Sequence, residues 1–168
     1  MQKLVLSLTF LTSFTQASYA WEATINGPDV FGKTKVVATE GRGRTSLIIQ
    51  CDSDSELYLA YIFEKKKFDD INDTPAKLYV KTSPSGPTVL DAQMRDWNDN
   101  YAGIVVTGRT KELIEVIALI GNAKAKIEVG YEVLGFQESD SFSSNRSQKT
   151  VKTVFDKCKI EKPVSTEN

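Results

Sequence analysis

The chain has 168 residues, 40% hydrophobic and 26% charged, with 21 basic against 22 acidic side chains and a formal net charge of −1. That balance excludes the basic footprint of a nucleic-acid binder. Histidine does not occur in the chain, which removes His-based triads, Cys–His dyads and His-ligated metal sites together.

In chain order, Lys3 precedes an apolar run from Leu4 to Phe14, and the small residues Ser18 and Ala20 follow. This is the charged, apolar and small-x-small order of a secretory signal, so residues 1–20 are expected to be removed after Ala20. The apolar run is shorter than the ~20 residues a membrane span needs, and no later segment is long or apolar enough to span a bilayer. The expected mature chain begins at Trp21 as one globular β-rich domain, residues 21–161, with 162–168 as a frayed tail.

Ile25 to Asp29 reads as a loop. The segment Gly27-Pro28-Asp29-Val30-Phe31-Gly32-Lys33-Thr34 matches the phosphate-loop pattern letter for letter. That pattern cradles phosphate only where a helix follows it. Here Lys35-Val36-Val37-Ala38-Thr39 are strand formers, so a loop entering a strand is expected, and no nucleotide. Alternating apolar residues predict strands over 35–40, 45–51, 56–64, 76–82, 88–97, 101–107 and 124–134. Between the last two, Leu113, Val116, Ile117 and Ile120 follow helical spacing, with Thr110 to cap and Gly121 to close. A Ser-rich turn over 139–144 leads to a second helix carrying Val151, Val154, Phe155 and Cys158. The expected class is α+β and mainly antiparallel β, a sandwich or partly open barrel with two helices, the second C-terminal.

The only two cysteines are Cys51 and Cys158. An even count in an exported chain, with no C-x-x-C arrangement, predicts one structural disulfide between them.

Acidic clusters at Asp52-Ser53-Asp54-Ser55-Glu56 and Asp96-Trp97-Asn98-Asp99-Asn100 begin like calcium loops. Both lack the glycine at position six, where Leu57 and Tyr101 stand, and the glutamate at position twelve, where Phe63 and Thr107 stand. They read as solvated turns, and no metal or other cofactor is expected. Catalysis has no better footing. The S-x-x-K signature does not occur, and no carboxylate pair is singled out among the acids. An enzyme is not expected. Asn72-Asp73-Thr74 and Asn145-Arg146-Ser147 match the glycosylation sequon, which matters only in a eukaryotic host. Trp97 and Tyr101, with Asp96 beside them in a polar segment, form the candidate partner-binding surface; the competing reading is aromatic packing beneath a loop.

The order of these segments resembles a known layout. Val36-Val37-Ala38-Thr39, Ser46-Leu47-Ile48-Ile49-Gln50-Cys51 and Glu56-Leu57-Tyr58-Leu59 are followed by a helix over 112–120, a strand over 126–133 and a C-terminal helix closed by Cys158. This resembles the VasI-like periplasmic proteins associated with bacterial type VI secretion. The family has arginine before its first cysteine, where Gln50 stands here, and its arginine-containing strand is matched by Leu78-Tyr79-Val80-Lys81. The resemblance implies a periplasmic setting, or secretion where the host lacks an outer membrane, and an accessory role beside a secretion apparatus. The expected function is therefore an exported binding or accessory protein whose partner is an envelope or secreted protein. An inhibitor or immunity protein blocking a hydrolase or toxin is the alternative, and a small hydrolase using carboxylates alone is the third.

Overall fold

The computed structural model describes residues 20–52, 56–65, 72–84, 86–161 and 163. The expected leader, apart from Ala20, and the expected tail, apart from Pro163, lie outside these residues. The elements in order are β1 (Glu22–Asn26), β2 (Lys35–Arg42), β3 (Thr45–Asp52), β4 (Leu57–Glu64), β5 (Thr74–Thr82), β6 (Thr88–Asn98), β7 (Tyr101–Thr107), α1 (Lys111–Asn122), β8 (Ile127–Val133), β9 (Phe136–Phe142) and α2 (Ser147–Lys157).

Alternation explains most of the strands. In β5 the buried side chains are Ala76, Leu78, Val80 and Thr82, and in β8 they are Ile127, Val129, Tyr131 and Val133. Each buried set points to one face, as the two-residue period of a strand requires. In β4, by contrast, burial is nearly continuous from Leu57 to Phe63. Its Leu-Tyr-Leu-Ala-Tyr-Ile-Phe run covers apolar surface on both faces.

Among the described residues, all nine strands belong to one antiparallel sheet in the order β1-β2-β3-β4-β7-β6-β5-β8-β9. The sheet curls until its last strand approaches its first ones. Thr45 Oγ1 donates to Asp140 of β9, and the Ser143 amide donates to Glu40 of β2 at 2.9 Å. The architecture is thus a partly open barrel; a second sheet, which a sandwich needs, is not formed by the described residues. Inside the curl, Phe63 and Tyr131 stack with centroids 4.9 Å apart, and Tyr61 lies 5.6 Å from Tyr131 and 6.0 Å from Phe142.

The helices fill the concave side. Thr110 accepts the Leu113 amide at 3.2 Å and caps α1, which buries Leu113, Val116, Ile117 and Ile120. The second helix buries Val151, Val154 and Phe155 in the same core. They meet at Gly121, where a Cβ would stand 3.0 Å from Val151 Cβ, so the approach depends on glycine. Two covalent and packing anchors hold α2. Cys51 at the end of β3 and Cys158 at the α2 C-cap are joined across 107 residues, with Cα atoms 6.2 Å apart. At the other end of the helix, Trp21 is 1% exposed. Its indole donates to Ser143 O at 2.8 Å, its amide to Asn145 O at 3.0 Å, and its carbonyl accepts from Thr150 Oγ1 at 3.4 Å.

The structure has two strands that the apolar pattern does not signal. Strand β1 falls partly in the segment read as a loop, and β9 occupies the segment read as a Ser-rich turn. Both are edge strands. All of β1 is exposed, and β9 is exposed over Phe136 to Ser139, so neither displays the alternation by which strands are recognised. The phosphate-loop look-alike connects β1 to β2, and no helix follows it.

Candidate functional site

On the face away from the helices, β6 and β7 form a hairpin with Asp99 and Asn100 at its tip. The Asn98 side chain accepts the Asn100 and Tyr101 amides at 2.9 and 3.0 Å, which fixes the turn. The register runs Arg95↔Gly103, Asp96↔Ala102 and then Asn98↔Tyr101. Trp97 therefore has no partner: it is a bulge residue, and a bulge re-aims its side chain. The ring lies over Gly103. A Cβ at Gly103 would come 2.7 Å from Ile62 Cδ1, so Ile62 occupies the space a side chain would need, while Trp97 Cε3 would stand at ordinary contact, 3.5 Å.

Around this point the outer face carries an apolar island. Ala60, Ile62 and Val105 are buried in it, with Ile48, Tyr58 and Tyr101 packed against them. Cross-strand pairs align them directly: Ile48 with Ala60, Ala60 with Val105, and Ile62 with Gly103. Trp97 remains 41% exposed. Polar contacts ring the island. Lys65 pairs with Asp96 at 2.6 Å, the Asp96 amide donates to Asn72 Oδ1 at 2.8 Å, and Arg44 pairs with Glu64 at 3.2 Å. The centre of the island is thus already covered within the chain, and Trp97 is the apolar side chain that stays exposed beside it.

The three residues expected at a partner surface thus have separate positions. Trp97 is exposed, Tyr101 is half-buried against the island, and Asp96 is engaged by Lys65 and Asn72. Ile48, Tyr58, Ile62, Gly103 and Val105 were not singled out from the sequence. The signal that finds them is β4 itself, because a strand apolar on both faces must have its outer face covered.

Next to the island runs a groove of about 590 Å³ bounded by Lys77, Asp91, Gln93, Val105, Thr107 and Leu134. Lys77 and Asp91 form an ion pair within it. A second, polar groove of about 810 Å³ lies over Gly130 and Ser139, with Tyr79, Lys81, Lys126 and Glu128 along it. Glu128 sits between Lys126 at 2.7 Å and Lys81 at 2.8 Å. Hydrogen bonds from Lys126 first, and then Lys81, push its carboxyl down to about 2 from an ordinary 4.5. Because the folded value is the lower one, these contacts support the fold above about pH 4.5, and that support is lost as pH falls through about 2. A carboxyl-carbon NMR titration should show Glu128 titrating near 2, with the midpoint moving upward in Lys126→Ala. An unshifted Glu128 midpoint would show that the lysines do not engage it in solution.

The tyrosines offer no proton-transfer chemistry near neutral pH. Burial, then the charges of Asp140 and Glu138, pushes Tyr61 up to about 12. Burial and Glu138, which accepts its hydroxyl proton, raise Tyr131 still further. Beside the polar groove, hydroxyls meet carboxylates at Thr45 with Asp140 and at Tyr131 with Glu138. No helix among the described residues is long and apolar enough to cross a membrane. Comparison with protein-family models, with curated proteins and with solved structures finds no match to this chain.

Proposed function

We propose that this chain is an exported binding protein whose outer-face island, centred on Trp97 and Tyr101, takes a protein partner of the cell envelope. The observation that carries this reading is the bulged Trp97, placed over Gly103 and still 41% exposed on a sheet. An aromatic anchor already fixed by its own strand loses little freedom on binding, and such residues dominate interface energetics. Support for the compartment comes from the signal-like N-terminus and the paired cysteines. The resemblance to VasI-like proteins supports an accessory role beside a secretion apparatus.

The test is Trp97→Ala. Chemical cross-linking in intact cells followed by affinity purification should recover a defined adduct with the wild type and lose it with the variant. The unfolding free energy should move by about 1 kcal/mol or less, as for a half-exposed surface residue. Identification of the adduct separates an apparatus component from a hydrolase or toxin held by an inhibitor. Equal capture by both proteins would place the interface elsewhere, and a collapsed variant would make Trp97 a core residue.

A further inference from the structure

The hairpin of β1 and β2 is independent of the island. All five residues of β1 are exposed, and among the described residues no strand pairs with its outer edge. Sheet edges are normally blunted by lysine, proline, a bulge or a covering segment. Glu22-Ala23-Thr24-Ile25-Asn26 has no lysine, proline or bulge, Glu22 is its one charge, and its register with β2 is unbroken. The opposite edge is different: β9 carries Glu138 and Asp140, and its end closes against β2 and β3.

Beyond β1 the loop is fixed. Asp29 Oδ1 accepts the Phe31 and Lys33 amides, each at 2.9 Å, while its own amide donates to Lys33 O at 2.9 Å and its carbonyl accepts from Gly32 at 3.0 Å. Gly27, at φ +121°, makes the base of the loop, where a Cβ would lie 2.5 Å from Lys33 O. This frame holds Val30 and Phe31 outward at 93% and 81% exposure.

We propose that β1 is the two-fold edge of a homodimer, pairing antiparallel with β1 of a second copy about Thr24. The strand is self-complementary in that register. Thr24 meets Thr24 of the partner subunit, Ala23 meets Ile25 of the partner subunit, and Glu22 meets Asn26 of the partner subunit. No like charges face each other, and Ile25, 44% exposed in one copy, gains an apolar neighbour. Pro28 has no amide to donate, which ends the ladder near Asn26. The contact is isologous and closes on itself, whereas β1 against the acidic, half-closed β9 edge of another copy would propagate as an open filament.

A five-residue ladder buries little on its own. That is less than the ~1,000 Å² of a stable biological contact, which makes the dimer weak and reversible. A bilayer is the poorer occupant. Two apolar side chains give one weak signal, and Lys33 and Lys35 are offset by Asp29 and Asp52, so the second signal of anionic attraction is missing.

The chain's two cysteines are paired with each other, so an added thiol reports a single position. Under mild copper–phenanthroline oxidation Thr24→Cys should give a covalent dimer well before Val89→Cys, which is also exposed on a strand, or Ser139→Cys on β9. Analytical ultracentrifugation at about 100 μM, where a contact of this size registers, should show reversible dimer for the wild type. Ile25→Lys should weaken it by about tenfold or more, because a charge at the paired edge opposes strand addition, and Phe31→Ser should weaken it less. A strict monomer, with Thr24→Cys cross-linking no faster than Val89→Cys, overturns the proposal. So does preferential cross-linking of Ser139→Cys, which would place the two-fold contact at β9 instead. Phe31-dependent co-sedimentation of a monomer with phosphatidylglycerol vesicles would assign the tip to a bilayer instead.

Discussion

Cys158→Ser is expected to lower the stability of this protein by about 4–5 kcal/mol, the chain-entropy value for releasing a loop of the 107-residue separation between Cys51 and Cys158. For a domain of this size that corresponds to a fall in Tm of roughly 10 °C or more. The mechanism has a second component. Both cysteines are fully buried, one at the end of β3 and one at the α2 C-cap, so the bond also fixes the helix to the sheet it packs on. Urea unfolding of the wild type with and without reductant, beside Cys158→Ser, checks this. The reduced wild type and the variant should unfold early and together. Coincidence of all three curves would show that the bond does not form or does not constrain the unfolded chain.

Trp21→Ala should cost about 3–5 kcal/mol, the range for removing a large buried aromatic. Trp21 closes the gap between the first strand and the start of α2. Its indole and its main chain make three hydrogen bonds, to Ser143, Asn145 and Thr150. Trp21→Phe keeps most of the packing and leaves the Ser143 carbonyl without the indole donor, so it should cost about 1–3 kcal/mol. Equilibrium unfolding of both variants measures the two parts. A Trp21→Ala cost below about 1 kcal/mol would mean that the site collapses around the smaller side chain or that Trp21 is loosely held in solution. Trp21 and Cys158 pin opposite ends of the same helix, so their effects should not add, and the double variant would measure their coupling through α2.

Much of the fold was legible because burial on one face leaves a pattern. The helix over Lys111–Asn122 is announced by Leu113, Val116, Ile117 and Ile120 and by the cap at Thr110, and each has the role its spacing predicts. The central strands were readable to within three residues at their ends, since each has one face against the core. Strands β1 and β9 were not, because an edge exposed on both faces has no alternation to read; Phe142 is the one fully buried residue of β9. The sequence also left sandwich and barrel open. The choice depends on how far the sheet curls, and that is set by long-range contacts such as Thr45 with Asp140 and Tyr61 with Phe142.

The candidate site was half legible. Trp97 and Tyr101 stood out as aromatics in a polar segment, and Asp96 beside them as an acid. Their separate positions depend on a bulge that only the strand pairing defines. Gly103 gives no hint in isolation, since its meaning is the ring of Trp97 and the Ile62 methyl above it.

The central claim, that the island around Trp97 is a contact surface for an envelope partner, is tested most directly by placing a photo-activatable benzoylphenylalanine at that position in intact cells. One discrete adduct is expected from position 97, a weaker yield from Tyr101, and none from Leu119, an exposed residue on α1 away from the island. Adducts of equal yield from Leu119, or none from position 97 while the protein remains folded and exported, would contradict it.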